Sequence, residues 1–406
     1  MTVDVRFRVD GAQPSSRDPA SFFEHDLPSA LESARPTMAN ALEWLNLVPL
    51  TVVMEDSSDA WTLTANGTVS VERGAASDGA TVSLTAEQIA DLATDQASFM
   101  GFFTWGTLDQ RSGRLEHLLD WWLILRSALD GRDIYTPGSI AFTSADGTAL
   151  DLHQSFRPDD DPALLRAFLE EAGFLHITGV FGDDEMHELD QEIDRHASAY
   201  ARDDGKSWWA KTDDGVERLV RQYEFDQHSN VAKALIEDDR FLRIGRITGD
   251  GHESAKTCQA LTKPIGVVSG ISDVPWHKDC GLGRHSYDCC GMTVGISVTG
   301  AGATSGQLRV IAGSHRGLVW PAFARKDMGL PEIDLPTETG DVTVHLSCTS
   351  HMSQPPVDRE RRVIYSGFAL PPADTEAVAS GRKRLYRIRE GIPEGVSQKP
   401  SVVPSA

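Results

Sequence analysis

The chain has 406 residues, 40% of them hydrophobic, and a formal net charge of −22 at pH 7 with a sequence pI near 4.9. This length exceeds that of most single domains, so we expect two or three folded units. The acidity argues against nucleic acid or an anionic membrane surface as a partner. No stretch approaches the ~18 apolar residues of a membrane span, and the first residues do not begin a signal peptide. Five cysteines without regular spacing fit reduced thiols, so a cytoplasmic location is expected.

The first part of the chain predicts a small α/β unit. Residues 1–29 are rich in turn-forming residues and predict an N-terminal arm. Apolar residues at helical spacing follow over residues 30–48. Alternating runs then predict three or four short antiparallel strands, at residues 50–54, 61–64, 68–71 and 81–84. Thr85 and Gln88 have the spacing of a capping box at a helix start, and further helical stretches are expected over residues 95–100 and 115–129.

This order of helix, strands and helices resembles the sterol carrier protein type 2 domain. The motifs that carry the resemblance lie at residues 61–67, 72–74, 82–85 and 99–106, and it covers residues 30–132. The resemblance implies a tunnel for an apolar, lipid-like cargo. The alternative is a structural unit in which the large aromatic residues are ordinary core, namely Phe99, Phe102, Phe103, Trp105, Trp121 and Trp122.

Residues 133–160 contain Pro-Gly and Asp-Gly turns and predict a linker. Beyond it, helical patterns precede most of the strand patterns, which is typical of a sheet braced by helices on one side. The expected helices cover residues 164–172, 183–196 and 238–247. The expected strands cover residues 174–177, 266–268, 292–298, 307–311, 342–346 and 363–368.

A candidate metal motif lies in this C-terminal part. If residues 274–280 are extended, His277 and Asp279 leave the same face of a strand. A second imidazole from a distant segment completes the two-histidine, one-carboxylate triad that holds Fe(II) and leaves positions open for reactants. His351 is the preferred third ligand, with His345, inside a strand pattern, as the alternative.

Together these motifs resemble the phytanoyl-CoA dioxygenase family of Fe(II)- and 2-oxoglutarate-dependent oxygenases. The resemblance runs from about residue 173 to 371, and its other motifs are residues 308–315 and Gly340-Asp341. It implies an α+β protein in which a double-stranded β-helix (jelly-roll) core occupies residues 161–406, behind the small α/β unit. It further implies Fe(II) on His277, Asp279 and His351, with O2 and 2-oxoglutarate as cosubstrates.

Three other residues are candidate contacts of 2-oxoglutarate. The resemblance implies that its far carboxylate binds Arg362 with help from Ser353. The neighbouring Arg361 is the alternative to Arg362, because successive residues on a strand face opposite ways and only one of the two can point inward. Lys263 precedes the metal motif and is a further candidate, with a solvated lysine as the alternative.

The same resemblance implies the reaction. A carboxylate at Asp279 fills the third protein position, where related halogenases have a small residue, so hydroxylation of an unactivated C–H with release of succinate and CO2 is expected. The substrate is expected to be a small, lipid-like or natural-product molecule. Desaturation, epimerisation or cyclisation on the same core is one alternative, and a non-enzymatic lipid carrier with a vestigial iron site is another. The sequence does not indicate the oligomeric state.

Two further clusters, one of cysteines and one of basic residues, are weaker candidates for a binding site. Cys280, Cys289, Cys290 and Cys348 with His285 contain no CxxC pair, so buried thiols are favoured over a zinc site. The basic segment 381–389 predicts a solvated face, with a grip on the phosphates of a CoA thioester as the alternative.

Overall fold

The structure is a computed structural model that describes residues 18–104, 106–144, 146–202, 204–270, 275–280, 291–325 and 328–371. Within them no helix is long and apolar enough to cross a membrane. Cys289, Cys290, His285, Trp105 and the segment 381–389 lie outside the described residues.

The N-terminal unit is one sheet covered by helices. Its helices are α1 (Pro19–Ser21), α2 (Leu27–Ser33), α3 (Arg35–Met38), α4 (Ala86–Ala93), α5 (Phe99–Thr104) and α6 (Leu115–Asp130), with a π-helical turn at Phe22–Asp26 and a 3-10 turn at Ala41–Glu43. Its strands are β1 (Leu50–Met54), β2 (Ala60–Ala65), β3 (Val69–Arg73), β4 (Ala80–Leu84) and β5 (Asp109–Ser112), in the order β3-β2-β1-β4-β5.

The strand positions confirm the alternating pattern, with two differences. β1 and β4 are neighbours in the sheet and run parallel rather than antiparallel, although β2 and β3 separate them in sequence. β5 was not expected, since its four residues are all polar. The capping box is confirmed: Gln88 N donates to Thr85 Oγ1, and Thr85 N donates to Gln88 Oε1.

The start of the chain differs from the expected irregular arm. Residues 19–33 are helical. Phe22 and Phe23 are buried in the N-terminal core, and the Phe23 ring stacks on Trp61 with centroids 4.9 Å apart. Helix formation here follows from burial of this aromatic pair, which outweighs the local turn propensity.

No helix or strand is described between Asp130 and Pro162, although this stretch packs against the rest of the chain. Ile134 forms a bridge to Leu318, and Phe156 forms a bridge to Ile177. The C-terminal unit then begins with α7 (Pro162–Ala172), β6 (Phe174–Ile177), α8 (Asp183–Arg195), α9 (Asn230–Glu237) and α10 (Asp239–Arg246).

Two antiparallel sheets form the C-terminal core. The large sheet has the order β11-β7-β8-β10-β17-β12-β15-β6, with β9 beside one end of β17. Its strands are β7 (Ser207–Thr212), β8 (Glu217–Gln222), β9 (Glu253–Ser254), β10 (Gln259–Lys263), β11 (Val267–Gly270), β12 (Gly291–Ser297), β15 (Val342–Leu346) and β17 (Arg361–Ala369). The small sheet has the order β14-β13-β16, with strands β13 (Leu308–Ile311), β14 (Glu332–Leu335) and β16 (His351–Ser353).

The large sheet has one helix-covered face and one face that lines a cavity. Alternate residues such as Val294, Val344 and Ile364 are buried in the C-terminal core with residues of α7 to α10. Their neighbours Thr293 and His345 line a cavity shared with the small sheet. This two-residue alternation decides which side chains of β12, β15 and β17 reach the site.

The Gly340-Asp341 motif closes the turn before β15. The Asp341 carboxylate accepts hydrogen bonds from Gly179 N at 2.8 Å and Glu338 N at 2.9 Å, and lies 3.0 Å from His176 Nε2. Burial alone raises the pKa of Asp341, but these bonds outweigh it and hold the pKa below its usual range. Asp341 therefore fixes the start of β15 against β6.

Candidate active site

The two remote segments of the metal motif meet in the fold. His277 N donates to His351 O at 3.0 Å, and His351 N donates to His277 O at 2.9 Å. On its other side the same segment pairs with Ala322. The segment around His277 is thus held between β16 and the loop after β13, rather than forming a strand of its own.

The three expected ligands point at one spot. The Nε2 atoms of His277 and His351 each lie 3.5 Å from Asp279 Oδ1, and the ligand atoms of all three residues lie within 4.8 Å of one another. The opposite ring nitrogens face backbone carbonyls: His277 Nδ1 is 2.7 Å from Pro275 O, and His351 Nδ1 is 2.9 Å from Thr349 O. Such contacts place the proton on Nδ1 and leave the Nε2 lone pair for a metal.

Electrostatics favour the ligand forms of these groups. Burial lowers the pKa of His351 well below its usual range, and the nearby His345 and His277 lower it further. Burial raises the pKa of Asp279, but the imidazoles of His351, His277 and His345 outweigh this and hold it well below its usual range. The Asp279 side chain lies deep in the fold yet is 35% exposed, because it opens onto the cavity. A neutral imidazole and a carboxylate are the forms that bind Fe(II).

The donor set fits a ferrous ion. An ion about 2.1 Å from each donor keeps adjacent donors about 3 Å apart, so the observed 3.5 Å separations need only a small contraction. Two imidazoles and one carboxylate on one side of a cavity form the facial arrangement that suits non-haem Fe(II).

His345 lies beside the triad rather than outside it. Its ring centroid is 4.0 Å from that of His351, and its Nε2 is 3.4 Å from Asp279 Oδ2. Thr293 Oγ1 donates to the same oxygen at 2.8 Å. Oδ1 therefore faces His277 and His351 while Oδ2 faces Thr293 and His345, and the hydrogen bond from Thr293 orients the carboxylate, whereas both ring nitrogens of His345 are buried without a hydrogen-bond partner.

Ser353 and Lys263 lie at one end of the site. Ser353 follows His351 by two residues on β16 and lines the cavity. Lys263 is fully buried, and its Nζ donates to Ser353 Oγ at 2.5 Å, to Ser353 O at 3.0 Å and to Gln354 O at 2.8 Å. Lys263 thus holds the end of β16 and is not a solvated surface lysine.

The two neighbouring arginines on β17 face opposite ways, and the expected inward choice of Arg362 is corrected to Arg361. Arg362 points to the helix side, where it forms ion pairs with Asp190 and Asp194 of α8 and with Glu360, at 2.9 to 3.0 Å. Arg361 points to the cavity side and is 2% exposed. In the sheet, Arg361 of β17 lies directly opposite Lys263 of β10, so the two cationic residues are neighbours.

The Arg361 guanidinium is buried without a carboxylate partner among the described residues. Its Nη1 donates to Gly306 O at 3.2 Å, its Nη2 lies 3.4 Å from the Tyr365 hydroxyl, and its buried Nε has no hydrogen-bond partner. Tyr365 in turn lines the cavity. A buried, unpaired cation is unfavourable unless an anion binds to it.

The cavity has a volume of about 280 Å³. Besides His277, Asp279 and His351 its lining residues are Trp208, Arg221, Gln259, Leu261, Thr293, Leu308, His345, Ser353, Tyr365 and Ser366. Trp208, Arg221, Gln259 and Thr293 were not among the residues predicted from sequence to form the site. Trp208, Arg221 and Gln259 lie on β7, β8 and β10, where the signal was strand alternation that the charged residues of β8 obscured, whereas Thr293 lies on β12, a strand that was expected.

The described cysteines do not form a metal site. Cys258, Cys280 and Cys348 are buried, as expected, and the sulfur atoms of Cys280 and Cys348 are 3.5 Å apart. Among the described residues, the histidines and carboxylates that could together hold a metal ion are His277, Asp279 and His351.

The N-terminal unit contacts the loop that supports His277. The Asp120 carboxylate on α6 accepts a hydrogen bond from Trp320 Nε1 at 2.9 Å and pairs with Arg325 at 2.7 Å. Phe323 N, in the same loop, donates to Trp276 O at 2.7 Å. The N-terminal unit is thereby connected to the metal motif through one loop.

The apolar cavity of the N-terminal unit is small. It has a volume of about 20 Å³ and is lined by apolar residues that include Phe22, Leu63 and Phe99. This volume holds about one water molecule. Phe99, Phe102, Trp121 and Trp122 are buried core residues.

Comparison with known proteins finds a family model that is similar to the C-terminal unit. Residues 169–363 match the family model of phytanoyl-CoA dioxygenase (PhyH). No match is found among curated proteins. The cofactors expected from the sequence, Fe(II) and 2-oxoglutarate, are those of the matched family, and the donor set above fits them.

Solved structures similar to the chain include AviO1 from Streptomyces viridochromogenes Tue57, at 22% identity and a TM-score of 0.43 over 53% of this chain and 97% of that one. EvdMO1 has 23% identity and a TM-score of 0.42 over 51% of this chain and 49% of that one. The epimerase SnoN, solved with Fe3+, alpha ketoglutarate and nogalamycin RO, has 18% identity and a TM-score of 0.41 over 53% of this chain and 90% of that one.

Proposed function

We propose that this chain is an Fe(II)- and 2-oxoglutarate-dependent oxygenase that hydroxylates a small organic molecule. The match of residues 169–363 to the phytanoyl-CoA dioxygenase family supports the oxygenase class. The observation that carries the proposal is the convergence of His277, Asp279 and His351 on one side of a cavity of about 280 Å³.

His277, Asp279 and His351 would hold the ion, with Oδ1 of Asp279 turned towards it. Fe(II) with 2-oxoglutarate supplies the activation of O2 for attack on an unactivated C–H, with succinate and CO2 as coproducts. Thr293 keeps Oδ2 of Asp279 hydrogen-bonded, which fixes the direction of the ligand oxygen.

The far carboxylate of 2-oxoglutarate is assigned to Arg361. A guanidinium binds a carboxylate through two parallel hydrogen bonds, and Arg361 is the buried cation on the cavity side of β17 without a carboxylate partner among the described residues. Ser353 offers a hydroxyl at the same end of the cavity. Lys263 orients Ser353 through its hydrogen bond and adds positive charge beside Arg361.

Hydroxylation is the outcome that the ligand set favours, because Asp279 fills the third protein position. The rest of the cavity wall positions the target carbon and limits the access of water. The N-terminal unit is proposed as a support for the loop at residues 320–325 rather than as a carrier, since its described cavity is too small for an acyl chain or a sterol.

The test measures Fe(II)-dependent release of succinate from 2-oxoglutarate by the purified chain. The His277→Ala and Asp279→Ala variants are expected to lose this release. His187→Ala is the control, because His187 is exposed on α8, where its ring hydrogen-bonds with Gln191. Equal succinate release by wild type and both ligand variants would contradict the proposal.

A further inference from the structure

The cavity has a second polar end, formed by the strands β7, β8 and β10. Trp208, Arg221 and Gln259 stand on these neighbouring strands and line the same cavity as the three metal ligands. Trp208 and Arg221 are cross-strand partners, and Arg221 is in turn the partner of Leu261. These residues therefore share one face of the sheet.

The Arg221 guanidinium is held in a fixed position by two aromatic rings. Its central carbon lies 4.2 Å from the centroid of the Trp208 ring and 5.5 Å from that of Tyr223. Its Nη1 donates to the Tyr223 hydroxyl at 3.3 Å. Stacking of this kind orients the planar group and leaves its edge available for hydrogen bonding.

The hydrogen-bonding capacity of this end is incompletely used. Arg221 Nε is buried and has no hydrogen-bond partner, and no described carboxylate forms an ion pair with Arg221. The amide oxygen of Gln259 is also buried without a partner. Buried polar groups are normally paired, and a pair of unsatisfied groups in a cavity wall indicates a polar ligand.

We propose that this end binds the organic substrate and that the substrate carries a carboxylate, which Arg221 receives while Gln259 accepts a hydrogen bond from the same molecule. This inference rests on the proposed function, because there Arg361 of the neighbouring strand β17 takes the carboxylate of 2-oxoglutarate. A carboxylate fits better than a phosphate, since among the described residues Arg221 is the one cationic side chain that lines the cavity beside Trp208 and Gln259. Under this proposal the substrate is a small acid with polar groups, rather than the lipid-like molecule expected from the sequence.

The test uses the chain loaded with Fe(II) and 2-oxoglutarate under anaerobic conditions. Benzoate and its neutral analogue benzamide serve as probes, and binding is measured by calorimetry. In Arg221→Gln the guanidinium is lost, whereas Arg218→Gln removes an exposed arginine of the same strand that pairs with Asp214. Arg221→Lys keeps the positive charge and serves as a second variant in case Arg221→Gln does not fold. Thermal unfolding shows whether each variant is folded.

Benzoate is expected to bind wild type and Arg218→Gln equally, to bind Arg221→Gln at least tenfold more weakly, and to bind Arg221→Lys with intermediate affinity. Benzamide is expected to bind all four proteins more weakly than benzoate binds wild type. Absence of benzoate binding to wild type, or equal binding by Arg221→Gln, overturns the inference. A loss of 2-oxoglutarate affinity in Arg221→Gln also overturns it, since Arg221 would then serve the cosubstrate. Failure of wild type to bind 2-oxoglutarate at all contradicts the proposed function instead.

Discussion

Replacing each of the two adjacent arginines of β17 in turn distinguishes an effect on 2-oxoglutarate binding from an effect on the free energy of unfolding. Arg361 lies on the cavity side and Arg362 lies on the helix side of the same strand. The Arg361→Gln variant removes the guanidinium assigned to 2-oxoglutarate. Arg362→Gln removes three ion-pair contacts of a side chain that is 15% exposed, and it serves as the matched control.

The expected changes in 2-oxoglutarate affinity and in stability depend on whether the guanidinium has a carboxylate partner within the protein. Loss of one partner from a buried charge pair costs about 2–5 kcal/mol, and each 1.4 kcal/mol changes an equilibrium constant tenfold. Arg361→Gln is therefore expected to weaken 2-oxoglutarate binding by about 30-fold or more. Since Arg361 has no carboxylate partner among the described residues, its loss is expected to change the free energy of unfolding by less than about 1 kcal/mol.

Arg362→Gln is expected to show the opposite pattern. Its partly buried ion pairs are lost, so the free energy of unfolding falls by about 1–3 kcal/mol, while 2-oxoglutarate affinity stays within twofold of wild type. Anaerobic calorimetric titration of the Fe(II)-loaded proteins measures the affinities, and chemical denaturation measures the stabilities. Weakened 2-oxoglutarate binding in Arg362→Gln with normal binding in Arg361→Gln refutes the assignment.

Three further predictions concern the groups that support the site. Thr293→Val removes the hydrogen bond to Asp279 Oδ2 and is expected to weaken Fe(II) binding by about 10–100-fold in a competition titration, whereas Thr293→Ser retains it. Asp120→Ala removes the buried acceptor of Trp320 and is expected to lower the free energy of unfolding by about 3 kcal/mol, and an unchanged denaturation midpoint would count against it. The folded-state pKa of Asp341 is lowered, so its contribution to stability is present above the unfolded pKa of about 3.9 and is lost as the pH falls. The stability difference between wild type and Asp341→Asn should therefore shrink below about pH 4, and a difference that grows on acidification would contradict this.

Strand alternation let the sequence predict much of the C-terminal core. The expected strand at residues 342–346 coincides with β15, and the one expected at residues 292–298 is displaced by one residue from β12 (Gly291–Ser297). The same periodicity could not tell which of Arg361 and Arg362 faces inward. That choice depends on the register of β17 with β10 and β12, which residues far apart in sequence determine.

The convergence of His277, Asp279 and His351 was predicted from motif and spacing, but the backbone contacts that bring them together were not. His277 and His351 are joined by a short backbone bridge, and the loop beyond it contacts Asp120 of the N-terminal unit. These are tertiary contacts that local patterns do not encode. The polar end of the cavity was missed for a related reason, because the charged strand β8 has little apolar alternation.

The most direct test of the central claim is anaerobic addition of 2-oxoglutarate to the Fe(II)-loaded chain, followed by visible absorption. Chelation of a ferrous ion by 2-oxoglutarate produces a charge-transfer band, which we expect in wild type and in His187→Ala but not in His351→Ala. A band that persists in His351→Ala, or that is absent from wild type with bound Fe(II), would contradict a site formed by His277, Asp279 and His351.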